Sequence, residues 1–254
     1  MTTMSRPTSL YEVKTFEQRR FGVFYTHEAI GRRIARLAAD SLPKVGCVHV
    51  CDPFCGDGRL LVWFLEEVAK STELKVELNL HAWDIDADAV ATSEDGLESQ
   101  IEKMGIAVEL SCLKVDTFQH ALNNLDTMDF VITNPPWEAI KPDYRELKAY
   151  DDDQREEIIS ELKSFDCFLA ESYPVSQPSR KFAGWGTNLS RVGTELSVRL
   201  LKSDGLCFIV LPTSLLGDMT SGTLRKWLFD KCSFSDVCFY PAEEHLFNGA
   251  DQDA

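Results

Sequence analysis

No apolar run in the 254-residue sequence is long enough to span a bilayer. Met1 to Leu10 also lack the apolar stretch of a signal peptide. Together these point to a cytoplasmic protein with no membrane partner. A basic excess is missing too: 26 Lys and Arg stand against 41 Asp and Glu, a net charge of −15. A chain that grips a phosphate backbone alone is normally basic on at least one face. Here the basic residues form only short clusters, Arg19-Arg20 and Arg32-Arg33 with Arg36, so much of any grip on nucleic acid is expected from elsewhere. There is no paired CxxC knuckle and no matching histidine cluster, although Cys47, Cys51 and Cys55 are evenly spaced. Structural zinc needs four convergent ligands, and no metal is expected. With no export signal, the eight cysteines, which lie in apolar segments, read as buried free thiols rather than disulfides.

What is present is an alternation of strands and helices. After an irregular arm over 1–24, Ile30, Ile34, Leu37 and Ala38 recur at helical spacing, predicting a helix from His27 to Leu42 with Thr26 as its N-cap. Strands are predicted at Val45 to Cys51, Leu78 to Trp83, Ala107 to Lys114 and Phe130 to Thr133. Helices follow the first two, over Arg59 to Lys70 and Ala87 to Met104. Such alternation means a mostly parallel sheet covered on both faces. Glu138 to Ser176 breaks the rhythm; with Asp151-Asp152-Asp153 and Glu156-Glu157 it reads as a solvated helical insertion, bounded at 138–185. A helix from Asn188 to Ser203, a turn at Asp204-Gly205 and a strand from Leu206 to Leu211 come next. A helix from Leu224 to Lys231 and a last strand, Val237 to Tyr240, complete the pattern.

Ligands of open parallel sheets bind beyond the carboxyl ends of the strands, and four features fall there. Asp52-Pro53-Phe54-Cys55-Gly56-Asp57-Gly58 follows the first strand. Gly56 and Gly58 permit a sharp turn close to a ligand. The loop lacks the lysine of a phosphate loop, and its acid, Asp52, suits a cationic ligand. Asp84-Ile85-Asp86 ends the second strand, with Asp84 placed to hold ribose hydroxyls and Asp86 to cap the next helix. Asp116, by itself a turn residue, ends the third strand beside Thr117.

The fourth feature is Asn134-Pro135-Pro136-Trp137, closing an apolar strand. As structure alone, the prolines stop a strand and the tryptophan joins the core. As chemistry, the combination is specific. The lone pair of an exocyclic base amine is delocalised into its ring. An Asn side-chain oxygen and a rigid backbone carbonyl can accept the two N–H bonds and stabilise the charge that grows on nitrogen during transfer. Proline sets the direction of the carbonyl, and Trp137 offers a stacking face to a base drawn out of its helix.

With these residues in place, the sequence resembles the amino-methyltransferases of restriction–modification systems, in particular adenine-N6 enzymes of the gamma order, over about residues 21 to 248. The resemblance implies a Rossmann-like α/β domain over 1–254 with a mixed, seven-stranded sheet, S-adenosyl-L-methionine as cofactor and DNA as partner. It places Tyr25 and Thr26 in the N-terminal cofactor segment and Asp52, Pro53, Phe54, Cys55, Gly56 and Gly58 in the cofactor loop. It assigns Asp84 to the ribose, Ile85 to the flank of the cofactor's adenine, and Asp116 with Thr117 to that adenine's amino group. Asn134, Pro135, Pro136 and Trp137 become the catalytic tetrapeptide, Asn134 also bordering the cofactor, and Phe247 a second aromatic against the flipped base. Family members usually continue into a target-recognition domain. None is expected within this chain, so recognition falls to a partner subunit or a missing domain. Methylation of an RNA base or a protein glutamine, and a non-catalytic assembly subunit, are the competing expectations.

Overall fold

The computed structural model describes residues 26–71, 73–178 and 186–241. Five strands, β1 (Val45–Asp52), β2 (Lys75–Asp84), β3 (Val108–Lys114), β4 (Met128–Thr133) and β5 (Leu201–Ile209), form one sheet in the order β3-β2-β1-β4-β5. Every pairing is parallel. The chain winds outward from β1 to β3, then returns to the other side of β1 with β4. Strand order therefore reverses between β1 and β4, and the crevice at their carboxyl ends is where such sheets bind ligands.

One face of the sheet is covered by α1 (Glu28–Asp40), α2 (Arg59–Val68) and α3 (Ala87–Ile101). Val48, Val50, Leu78 and Leu80 meet Ala35, Leu61, Phe64 and Leu97 there in an apolar core. The other face carries Cys51, Trp83 and Val131 against the short α4 (Thr117–His120), α5 (Asp152–Ser172) and α6 (Leu189–Leu200). Beyond β5 lie α7 (Ser214–Gly217) and α8 (Gly222–Lys231). No described helix is long and apolar enough to cross a membrane.

The structure departs from several expectations. α1 is capped by His27, whose Nδ1 accepts the Ala29 N–H at 3.2 Å, and not by Thr26, whose hydroxyl is engaged elsewhere. The acidic insertion is solvated only in part. Asp151 and Gln154 form a capping box that starts α5, but Leu162 and Leu169 are buried in the second core, with Ile158 and Phe165 half-buried against it. Asp204-Gly205 is no turn between helix and strand. It lies inside β5, Asp204 at φ 66°, beside a register shift against β4, so the pair acts as a bulge. Val237 to Tyr240 forms no strand: the segment has no ladder partner among the described residues, and Val237 and Phe239 stay exposed. The described sheet thus has five strands, all parallel, where a mixed seven-stranded one was expected. All eight cysteines are free, but only Cys51 and Cys55 are fully buried; Cys47, Cys167 and Cys238 are exposed.

Candidate active site

Both halves of the site sit at the strand-order switch. Asp52, the last residue of β1, is fully buried, and its Oδ1 accepts the Phe54 N–H at 3.1 Å and the Thr133 hydroxyl at 2.7 Å. Thr133 ends β4, directly before Asn134, so this bond joins the glycine loop to the Asn-Pro-Pro-Trp segment. The other oxygen of Asp52 is buried without a hydrogen-bond partner. Burial first, then repulsion from Asp84 and Asp57, pushes the Asp52 carboxyl up to about 7, against its hydrogen bonds with Thr133 and Phe54.

The loop itself is held from three sides. Thr117, buried, donates its hydroxyl to the Pro53 carbonyl at 2.7 Å. The Phe54 ring leans on Phe118 at 5.3 Å between centroids. Cys55 N–H donates to the Trp83 carbonyl at 2.9 Å, and burial pushes the Cys55 thiol up, which leaves it no nucleophile. Gly56 and Gly58 both have positive φ, 51° and 78°. At Gly58 a Cβ would lie 2.4 Å from Ser93 Oγ, whereas one at Gly56 would meet open space. Gly58 thus serves close helix packing and Gly56 lines the open side of the loop.

Asp84 grips the same loop. Its Oδ2 accepts the Gly56 N–H and its Oδ1 the Asp86 N–H, both at 2.9 Å, while burial raises its pKa. Asp86 caps α3 through the Asp88 N–H at 2.8 Å, as expected. Ile85 between them is half-buried. Asp116 is the N-cap of α4, accepting the Phe118 N–H and the Gln119 side-chain amide at 3.0 Å each, and burial raises its pKa as well.

Asn134 is half-buried at the head of its segment, where Pro135 is buried and Pro136 half-buried. Its Nδ2 donates to the Thr26 hydroxyl and its Oδ1 accepts the Trp137 indole N–H, both at 3.1 Å. Trp137 is only 6% exposed, packed with Ile30 and Val210. Asn188 caps α6 with its side-chain oxygen and donates its Nδ2 to the Trp137 carbonyl at 3.1 Å. Ile140 N–H to Thr187 and Leu189 N–H to Glu138 complete this clamp. Gly193 of α6 faces Pro135 so closely that a Cβ would stand 2.5 Å from the proline's own and 3.2 Å from the Phe54 ring.

Thus Thr26, the loop from Asp52 to Gly58, Asp84, Ile85, Asp116, Thr117 and the tetrapeptide share the carboxyl-end side of the sheet. Tyr25 and Phe247 lie outside the described residues, as do Arg19 and Arg20. The sequence placed Thr133 only at a strand end, Asn188 at a helix start and Gly193 inside that helix; their contacts join distant segments that local spacing does not show. Among the described residues, no group of three or more His, Cys, Asp or Glu side chains could hold a metal ion. Two arginines of the basic cluster of α1 are engaged in ion pairs: Arg32 pairs with Glu28 and Glu66 at 2.6 and 2.7 Å, and Arg33 with Asp236 at 2.9 Å.

The family model described as N-6 DNA methylase matches residues 10–169. A similar fold is found in a protein from Listeria monocytogenes described as a class I S-adenosylmethionine-dependent methyltransferase, with a TM-score of 0.62, 17% identity, and 94% of this chain and 61% of that one covered. The methyltransferase subunit of a type I restriction-modification system from Streptococcus thermophilus is also similar, with a TM-score of 0.55, 16% identity, and 91% and 43% covered. The chain spans less than two thirds of the length of either protein.

Proposed function

The chain belongs to the N-6 DNA methylase family, and on that premise we propose that it moves a methyl group from S-adenosyl-L-methionine to N6 of adenine in DNA. The observation that carries this reading is the bond between Thr133 and Asp52, which sets the Asn134 segment against a buried carboxylate oxygen with no partner. A buried acid of this kind calls for a cationic group, and the α-ammonium of this cofactor is one. Asp84 has lone pairs left to receive ribose hydroxyls, Ile85 and Phe54 offer apolar flanks, and Asp116 with Thr117 borders the adenine end. The backbone of Pro53, Cys55, Gly56 and Gly58 forms the floor. When bound, the cofactor supplies an electrophilic methyl on its sulfonium sulfur.

Asn134 Oδ1 and the Pro135 carbonyl receive the two N–H bonds of the base amine, directing its lone pair toward the methyl and stabilising the positive charge on nitrogen. Pro135 and Pro136 hold that carbonyl still, and Gly193 and Asn188 hold the prolines and the Trp137 backbone. Trp137 flanks the base once its indole leaves Asn134, with Phe247 as the second aromatic. Target recognition comes from a partner subunit or a further domain, since Arg32 and Arg33 are spent on local ion pairs and a net charge of −15 does not steer the chain toward DNA.

The test is transfer of labelled methyl to unmethylated DNA, RNA and protein, with and without co-purifying subunits. Label on adenine N6 of DNA is expected. Label confined to RNA or to protein glutamine, or none in an assembly that still binds cofactor, contradicts the reading.

A further inference from the structure

The wall at the adenine end of the proposed cofactor site is α4, a helix of one turn, Thr117–His120. A single turn does not hold itself in water, so its place is set by what grips it from outside. Thr117 donates its hydroxyl to the Pro53 carbonyl at 2.7 Å, and His120 meets Trp83 edge-on at 4.6 Å between centroids. A further grip comes from inside the acidic insertion. Tyr173, the C-cap of α5, is fully buried, and its hydroxyl donates to the Phe118 carbonyl at 2.6 Å. The Phe118 ring has Tyr173 and Phe54 as neighbours, at 6.2 and 5.3 Å between centroids. Tyr173 is itself held: the Arg199 guanidinium lies over its ring at 5.3 Å, and its backbone carbonyl accepts the Ser176 hydroxyl at 2.8 Å. Burial pushes the Tyr173 hydroxyl well above the ordinary tyrosine range, so it stays a hydrogen-bond donor at neutral pH.

We propose that Tyr173 is a positioning residue for the cofactor's adenine: through the Phe118 carbonyl it holds α4 where Asp116 meets the adenine amino group. This rests on the function proposed above. The Asp116 carboxylate is tied to the turn that it caps, Oδ1 to the Phe118 N–H and Oδ2 to the Gln119 side-chain amide, both at 3.0 Å. It therefore moves with that turn. Phe118 carries both bonds of the path, its N–H to Asp116 and its carbonyl to Tyr173, so one residue separates the hydroxyl from the carboxylate. The apolar surroundings of the ring would accept phenylalanine equally well. The hydroxyl is the part of Tyr173 that reaches α4. Hydrogen bonds weaken steeply as they bend, and a turn released from Tyr173 sets its carboxylate less squarely against the amine. Tyr173 is anchored in a helix of 21 residues whose Leu162 and Leu169 are buried in the second core, which gives the short turn a rigid support.

The experiment compares Tyr173→Phe with the parent, in the full chain, by calorimetry with two ligands: S-adenosylhomocysteine and its analogue without the adenine amino group. The melting temperature of both proteins is recorded. The parent is expected to prefer S-adenosylhomocysteine. Tyr173→Phe should bind it roughly three- to tenfold more weakly, the worth of one hydrogen bond, yet bind the analogue as the parent does, so that the preference narrows. A lower melting temperature with the preference unchanged would make Tyr173 a residue of the core alone and overturn the proposal. So would equal weakening toward both ligands, or a Tyr173→Phe chain that no longer folds. The parent separates the two levels. If it binds neither ligand, or both equally, the proposed cofactor site itself fails and this role with it. If it prefers S-adenosylhomocysteine and Tyr173→Phe keeps the same preference, only the role of Tyr173 fails.

Discussion

The Thr133 hydroxyl donates to Asp52 Oδ1 at 2.7 Å, tying the end of β4 to the end of β1 across the point where the strand order reverses. Hydrogen bonds to charged groups contribute about 1.5–3 kcal/mol. Thr133→Val should cost stability in that range at pH 8, where Asp52 is ionised, and less at pH 5, where it is protonated. Urea denaturation at the two pH values reads the difference, and equal losses at both would show that the bond does not serve the carboxylate.

Asp52 has its pKa raised to about 7 by burial. The folded protein therefore holds this proton through a pH range where the unfolded chain has released it. The contribution to stability follows in sign: no cost below about pH 4, a cost that grows as pH rises toward 7, and the full cost above. A cofactor that needs the carboxylate must also displace that proton. Binding should weaken about tenfold per pH unit below 7, with proton release near neutrality. Asp52→Asn should abolish this pH dependence, weaken binding, and stabilise the cofactor-free chain at pH 8. Calorimetry in buffers of different ionisation heat measures the proton, and a pH-independent affinity in the parent would remove Asp52 from the cofactor site.

The glycine loop, the acids at the strand ends and the tetrapeptide were legible in the sequence because each is a local pattern placed by strand–helix alternation. What was not legible depends on partners far along the chain. Thr26 has the chemistry of an N-cap, but Asn134 claims its hydroxyl and His27 takes over the cap. Asp204-Gly205 has the composition of a turn, and pairing with β4 on both sides absorbs it as a bulge. α5 looks polar by composition because its acids crowd the first turns, while Leu162 and Leu169 reach the core further on. Val237 to Tyr240 is a short run of strand-forming apolar residues, but such a run alone supplies no neighbouring strand.

Gly193 illustrates a constraint that only packing reveals. A methyl there would press into Pro135 at 2.5 Å, and overpacking of this kind costs about 1–3 kcal/mol. Gly193→Ala should keep the fold, lower the melting temperature, and reduce turnover by displacing the Pro135 carbonyl. An active, fully stable Gly193→Ala protein would mean that the prolines are free to move away.

In the proposed reaction Asn134 acts on the base amine, and its border with the cofactor adds little to cofactor affinity. Asn134→Ala, assayed in the methylating assembly, should cut kcat by roughly a hundredfold or more, the range for a lost transition-state hydrogen bond, while cofactor affinity measured on the same preparation stays near that of the parent. Turnover within a few-fold of the parent would contradict the account, and so would a loss explained wholly by weaker cofactor binding.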